Sequence, residues 1–259
     1  MRLYAFSCGV LESQKQLFTL GRGVGEPFTV PVPFYLIDHP EGLVLFDTGN
    51  ALAVAQDPEK HWGSVVESYR PIMTEADFVV NQLQTMGIGP DDITYVILSH
   101  LHLDHAGGVG AFPKARYVVQ RDELHFAYTP DASQSAAYIR ADFDRPVDWL
   151  ILEGWQDDGF DLFGDGSICI WFSPGHTPGH QSLRLNLQES GPIVLTGDSC
   201  YTLENLEEEI LPGLVWSPDE ALRAIRRLRD ERRRCDAKIF TGHDPEAWKT
   251  IKRAPDSYA

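Results

Sequence analysis

Residues 93–98 read Ile-Thr-Tyr-Val-Ile-Leu, and after Ser99 the chain continues His100-Leu101-His102-Leu103-Asp104-His105-Ala106-Gly107-Gly108. Three imidazoles and a carboxylate fall within six positions of an apolar strand. Polar groups taken out of water without partners are costly, so such a cluster demands a fold that ends a buried strand at a polar crevice and gives these groups something to bind. Side chains alternate along extended chain, so residues 100, 102 and 104 project to one side while His105 points elsewhere. One short segment can therefore serve two neighbouring metals. The two glycines after it let the chain turn sharply and start the next element without a Cβ clash.

Three more strands end in the same way, with an apolar run, a small-residue turn and a potential ligand: Ile-Trp-Phe-Ser-Pro-Gly-His176, Ile-Val-Leu-Thr-Gly-Asp198 and Ile-Phe-Thr-Gly-His243. Loops leaving strand ends can converge on one crevice, which is where open α/β sheets place ligand sites. Neutral imidazole suits zinc and similar divalent ions. His100, His102 and His176 make one three-histidine site; Asp104, His105 and His243 make a second, and Asp198 has two oxygens with which to bridge them. Two such metals roughly 3.5–4 Å apart hold a shared hydroxide that attacks near neutral pH, the nucleophile of a hydrolase. His180 is ambiguous, and is read as a hydrogen-bonding residue that orients a ligand. His39, His61 and His125 are read as structural. Asp47-Thr48-Gly49 reads as a turn whose functional version is support for a ligand.

The rest of the chain is expected to fold as one α/β domain over residues 1–259, with no repeat and no low-complexity linker. Strands are expected at 30–37, 42–49, 93–98, 116–120, 167–172, 181–187, 192–197 and 238–242. One helix is expected to start at Thr74 and Asp77, carry Val79, Leu83 and Met86 on one face and stop at Gly87. Another starts at the capping box Ser217-Pro218-Asp219-Glu220 and runs through Leu222, Ile225 and Leu228. Its run 223–234 carries seven arginines. With Asp230 and Glu231 among them, it reads as a solvated face and not as a nucleic-acid patch.

Charge narrows the partners. With 22 Lys+Arg against 38 Asp+Glu the formal net charge is −16, a field that repels phosphate backbones and leaves a small neutral molecule as the easier substrate. No apolar run approaches the ~20 residues of a membrane span. The opening MRLYAFSCGVLESQKQ has neither a long apolar core nor a small-residue cleavage site, so a cytoplasmic protein without membrane association is expected. Cys8, Cys169, Cys200 and Cys235 lie far apart without a C-x-x-C pair and are read as free thiols.

The H-x-H-x-D-H run with its later His, Asp and His resembles the metallo-β-lactamase superfamily of hydrolases, from the turn at 47–49 to His243. The resemblance implies an αβ/βα four-layer sandwich. The wording SHLHLDHAGGVGAF (99–112), SPGHTPGHQSL (173–183), LTGDSCYT (195–202) and FTGHD (240–244) is similar to the N-acyl-homoserine lactonases, which open the ring of bacterial quorum signals. That resemblance implies two zinc ions on His100, His102, His176, Asp104, His105, His243 and bridging Asp198. It puts the family's tyrosine on Tyr201, three residues after the bridging aspartate. Around that aspartate the chain has Gly197-Asp198-Ser199-Cys200-Tyr201 where family members often carry Ile-Asp-Ala-Ser-Tyr, a departure that bears on substrate preference.

The implied mechanism has Tyr201 hydrogen-bonding the lactone carbonyl and Asp104 passing the proton to the leaving ring oxygen. Segments 50–72 and 128–147 are expected to supply pocket walls, with Trp62 and Leu103, beside Tyr201, lining the acyl trough. A homodimer is expected from the resemblance alone. The alternatives are a lactonase for another small lactone, such as a pyridoxine-derived one, and a glyoxalase II-like thioesterase.

Overall fold

Leu3 and Ala5 leave the first strand on one side and Tyr4 and Phe6 on the other, and all four are buried, in two different apolar clusters. A strand apolar on both faces has to be covered on both. The computed structural model describes residues 1–154 and 159–259, and among them this need is met by stacking two sheets. The strands are β1 (Arg2–Gln14), β2 (Pro27–His39), β3 (Gly42–Phe46), β4 (Arg70–Ile72), β5 (Ile93–Ile97), β6 (Arg116–Gln120), β7 (Asp148–Leu152), β8 (Phe160–Asp161), β9 (Ile168–Phe172), β10 (Gln181–Leu187), β11 (Gly191–Leu195) and β12 (Lys238–Phe240). The first sheet is ordered β4-β1-β2-β3-β5-β6-β7 and the second β12-β11-β10-β9-β8.

The alternation sorts the layers. Val44, Phe46, Ile97 and Val118 of the first sheet meet Ile170, Leu183, Leu185, Ile193 and Leu195 of the second in one buried cluster. Leu45, Val96, Tyr117 and Val119, one residue out of phase, pack outward with Val79 and Leu83. On the far side of the second sheet, Trp171 and Val194 pack with Ile225 and Leu228. Helix, sheet, sheet and helix follow in that order, the four-layer αβ/βα sandwich.

The helices are α1 (Leu52–Gln56), α2 (Pro58–Trp62), α3 (Val79–Thr85), α4 (Arg121–Tyr128), α5 (Arg140–Phe143), α6 (Leu203–Glu208), α7 (Pro218–Cys235) and α8 (Pro245–Thr250). The Thr74–Asp77 box caps only a single 3-10 turn; Phe78 is extended and separates it from α3. In α7, Ser217 caps the Glu220 N–H as expected, while the Glu220 carboxylate takes Arg223 instead of closing the box. Further along the helix Arg226 and Arg229 pair with Glu209, Arg232 pairs with Glu207, and Arg227 stacks on the Trp171 ring. None of the helices among the described residues is long and apolar enough to cross a membrane.

Strand direction places the site. β3, β5, β6 and β7 run parallel. In the second sheet β9 and β11 are both antiparallel to β10, and β12 is parallel to β11, so β9, β11 and β12 also share one direction. The two sheets are pinned together at this edge, where Gln181 donates through its N–H to the Ser99 carbonyl at 2.9 Å and through Nε2 to the Leu98 carbonyl at 2.7 Å.

The glycines after the histidine cluster serve close approach and not a special turn. A Cβ on Gly107 would lie 2.0 Å from Ala51 N, and one on Gly108 would lie 2.8 Å from Thr48 Cβ, while neither residue has a positive φ. Gly107 N–H also donates to the Gly49 carbonyl at 2.9 Å. The histidine loop and the 47–51 loop are thereby locked backbone to backbone. Gly107→Ala is expected to cost about 1–3 kcal/mol of stability, as overpacking does, read from the midpoint of urea unfolding. An unchanged midpoint would mean that the two loops are free to separate.

Candidate metal centre

The four strand ends converge. After β5 come His100, His102, Asp104 and His105; after β9 comes His176; after β11, Asp198; after β12, His243. All seven side chains are buried. Three groups of potential ligand atoms lie within 4.8 Å of one another: His100, His102 and His176; Asp104, His105 and His243; and His100, His105 and Asp198.

Asp198 stands between the first two groups. Its Oδ2 lies 3.6 Å from His100 Nε2 and 3.3 Å from His176 Nε2. Its Oδ1 lies 3.3 Å from His105 Nε2 and 3.1 Å from His243 Nε2. Asp104 closes the second group, 3.7 Å from His105 Nε2 and 3.5 Å from His243 Nε2.

The far side of each ring fixes which nitrogen faces inward. His176 Nδ1 is 2.9 Å from the Leu214 carbonyl and His243 Nδ1 is 2.9 Å from the Pro31 carbonyl, so each Nδ1 donates outward and each Nε2 is the nitrogen that faces the centre. His105 Nδ1 meets Asp47 Oδ2 at 2.9 Å. His100 Nδ1 meets Ser99 Oγ at 2.9 Å, and that hydroxyl donates on to Asp47. Asp47 also accepts the Ser99 N–H at 2.6 Å from a left-handed backbone, φ 58°. The Asp-Thr-Gly turn therefore holds two of the histidines.

What this leaves at the centre asks for cations. His176 Nε2 sits 2.9 Å from His102 Nδ1 and 3.2 Å from His100 Nε2, lone pairs turned toward a common point. The buried His105 Nε2 and Asp198 Oδ1 carry no hydrogen bond. Buried polar atoms without partners are rare and costly, and nitrogen and carboxylate donors in two adjoining sets fit a pair of divalent ions. Burial, reinforced by neighbouring rings, pushes His100 and His102 well below the usual imidazole range, so both stay neutral and able to ligate. His105 and His243 go the other way. Burial would lower them, but the carboxylates of Asp198 and Asp104, with Asp47 at His105, hold them above that range. Burial would raise Asp198, yet His105, His243 and His176 keep it well below the ordinary carboxylate range.

Tyr201 is buried with its ring 5.2 Å from that of His243 and 5.5 Å from that of His176. Its hydroxyl is 3.4 Å from His176 Nδ1, whose proton faces Leu214, and it also hydrogen-bonds the Asp198 carboxylate. Burial and the nearby Asp198 push the phenol well above its usual range, so it is a donor at neutral pH. His180 stays outside the ligand groups. It accepts the Asp198 N–H at 2.9 Å, and burial pushes it down to about 3.

A narrow cavity opens onto the cluster. Leu11, Phe18, Val65, Tyr69, Leu103, Ala137 and Leu214 form its apolar walls, with His102, Asp104, Asp198, Tyr201 and His243 exposed to it. Leu103 and Tyr201 both line it. Trp62 is corrected: it is buried in the core under the first sheet and does not line the cavity. Segment 50–72 contributes Val65 and Tyr69 instead, because Trp62 closes helix α2 facing inward while the following turns face the cavity. Sequence reasoning missed Leu11, Phe18 and Leu214, which carry no polar signal. His39 and His61 pair with Asp165 and Asp142, apart from the cluster.

A sequence profile of the metallo-beta-lactamase superfamily matches residues 28–243. The chain is 44% identical over 260 residues to N-acyl homoserine lactonase AttM of Agrobacterium fabrum, spanning 100% of this chain and 99% of the relative. It is 36% identical over 233 residues to N-acyl homoserine lactonase AiiA of Bacillus thuringiensis subsp. kurstaki, spanning 90% and 88%. A solved N-acyl homoserine lactone hydrolase, with the product N-hexanoyl-L-homoserine at its catalytic metal centre, is similar at a TM-score of 0.89 and 34% identity, covering 99% of this chain and 98% of that one.

His105 and His243 give the centre a pH dependence. Burial would lower both rings, but the neighbouring carboxylates hold them above the usual imidazole range, so a metal competes there with protons as the pH falls. Zinc added to the metal-free protein at neutral pH is expected to release protons, seen as a heat that changes with the ionisation enthalpy of the buffer. Affinity should weaken as the pH falls toward mildly acid values. Affinity independent of pH would contradict this charge assignment.

Proposed function

Because the chain belongs to the metallo-β-lactamase superfamily and, within it, to the N-acyl homoserine lactonases, we propose that it hydrolyses the ring ester of N-acyl-L-homoserine lactones, degrading a quorum signal. The observation that carries the reading is Asp198, which turns one carboxylate oxygen to each of two neighbouring ligand groups beneath a tyrosine hydroxyl. His100, His102 and His176 would hold one divalent ion, Asp104, His105 and His243 the other, with Asp198 shared. The donor set is nitrogen and oxygen throughout, which suits zinc. When bound, such a pair supplies a water of lowered pKa and polarises a carbonyl oxygen.

The remaining work falls to the chain's own residues. Tyr201, a phenol at neutral pH, donates to the lactone carbonyl oxygen as negative charge develops there. Asp104 lines the cavity and carries a carboxylate at its floor. It accepts one proton of the attacking water and returns it to the ring oxygen as the C–O bond breaks, so the ring opens to a hydroxyl and a carboxylic acid, which ionises to the carboxylate and releases the water's second proton to solvent. The acyl chain lies against Leu11, Phe18, Val65, Tyr69, Leu103 and Leu214. The substrate is neutral and the product an anion, which a protein of net charge −16 repels. All four cysteines are free thiols, in keeping with a cytoplasmic enzyme.

The test is a panel of short- and long-chain acyl homoserine lactones on zinc-reconstituted protein, with ring opening followed by mass and a chelated control beside it. Chelator-sensitive gain of one water is expected, and the chain-length profile will size the cavity. Asp198→Asn is expected to lose metal and nearly all turnover. Tyr201→Phe should keep both metals and lose about 1–3 kcal/mol of transition-state stabilisation, as one oxyanion donor among several does. Two bound metals with no turnover of any member of the panel would move the activity to another lactone or a thioester.

A further inference from the structure

Outside the ligand groups the most heavily engaged acid is Glu123, in the first turn of α4 and wholly buried. Its Oε1 accepts the Leu101 N–H at 2.9 Å and the Tyr138 hydroxyl at 2.9 Å. Its Oε2 accepts the Thr177 hydroxyl, and the Gly179 N–H bonds the same carboxylate. Four donors converge on one carboxylate with no cation paired to it among the described residues, so hydrogen bonds alone stabilise its charge.

The donors come from three separate loops, and each loop carries or touches one part of the three-histidine group. Leu101 is the residue between His100 and His102. Thr177 and Gly179 follow His176 in the same loop. The Tyr138 ring stands edge-on to His102, centroids 4.5 Å apart. The spacing is fixed independently by backbone contact: a Cβ on Gly179 would lie 2.0 Å from Glu123 N, so the His176 loop is seated directly on the start of α4. The Asp104, His105 and His243 group has other supports, Asp47 behind His105 and the Pro31 carbonyl behind His243, and Glu123 touches neither.

We propose that Glu123 is a positioning residue that assembles the His100, His102 and His176 half of the centre by clamping its three loops to one buried carboxylate, and leaves the other half alone. The inference rests on the two-metal reading above. In Glu123→Gln one acceptor oxygen becomes an NH2 group facing donors. The hydroxyls of Thr177 and Tyr138 can turn to accept it, but the backbone N–H groups cannot, and one half of the clamp opens.

The experiment separates the halves. His243→Ala leaves only the three-histidine group intact, and His102→Ala leaves only the other. Zinc is titrated by calorimetry into both single variants with and without Glu123→Gln, with circular dichroism and thermal unfolding recorded on the metal-free proteins. In the His243→Ala background Glu123→Gln is expected to weaken zinc about ten-fold or more, the usual loss when a group supporting a ligand is altered. In the His102→Ala background the change should stay within about two-fold, since the sites do not share this support. Equal weakening in both backgrounds, or no change in the first, overturns the proposal. If Glu123→Gln does not fold, Tyr138→Phe, which removes a single donor and keeps the ring, is judged by the same asymmetry. Wild-type protein that fails to take two zinc ions counts against the two-metal reading, while the His243→Ala comparison still decides the role of Glu123 with one.

Discussion

A carboxylate with 3% of its surface exposed and one oxygen without a hydrogen bond is the condition around which this fold is arranged. Asp198 cannot be stable there unless positive charge meets both of its oxygens. His105 and His243 face its Oδ1 and His100 and His176 its Oδ2, a donor set that fits divalent cations on both sides. These groups sit on the ends of strands whose hydrogen-bond ladders hold them in place.

Holding seven donors at one point takes more than the strands. Four of the five inward-facing nitrogens are selected from behind: by Leu214 for His176, by Pro31 for His243, by Asp47 for His105 and by Ser99 for His100. These supports come from distant parts of the chain, including β2 and the stretch just before α7. They join the two sheets through the site itself. The left-handed backbone of Asp47 belongs to the same scheme, because only that turn lets one carboxylate reach Ser99 and His105 together.

How much of this the sequence carries depends on whether a residue is polar against an apolar background. The histidine cluster and the ligands after β9, β11 and β12 were legible because each breaks a buried run at its end. Seven of the eight expected strands fall inside or within two residues of observed ones, and β2 extends beyond its expected span at both ends. β1 was not legible: apolar on both faces and interrupted by a bulge at Gly9, it shows neither alternation nor a bounded run. β4 and β8 are edge strands of three and two residues, too short for any pattern. Glu123 was illegible for another reason. In a helix written Arg-Asp-Glu-Leu-His it looks like one more surface acid, and only the fold, by bringing Leu101, Tyr138 and Thr177 to it, makes it a buried hub. Trp62 failed in the reverse direction, a tryptophan in a loose segment that the core takes in.

The same division governs how such an enzyme can vary. The seven His and Asp side chains of the candidate ligand groups follow strand ends, and four of the histidines are held from behind by Asp47, Ser99, Leu214 and Pro31. The apolar wall is different: Phe18 and Leu11 come from one segment, Val65 and Tyr69 from a second, Leu214 from a third, and none of the five is a donor in the ligand groups, although the Phe18 ring packs edge-on to that of His243. Substituting these side chains alters the volume and shape offered to an acyl chain by the usual increments of apolar burial, roughly 25 cal/mol per Å², without altering the charge balance at Asp198. Leu103 and Leu214 are the exceptions. Leu103 lies between His102 and Asp104 and lines the cavity, and its backbone N–H is held by the Ala137 carbonyl at 2.9 Å. Leu214 lines the same cavity while its carbonyl meets His176 Nδ1 at 2.9 Å, so at both positions the shape of the wall and the geometry of the histidines are coupled through the backbone.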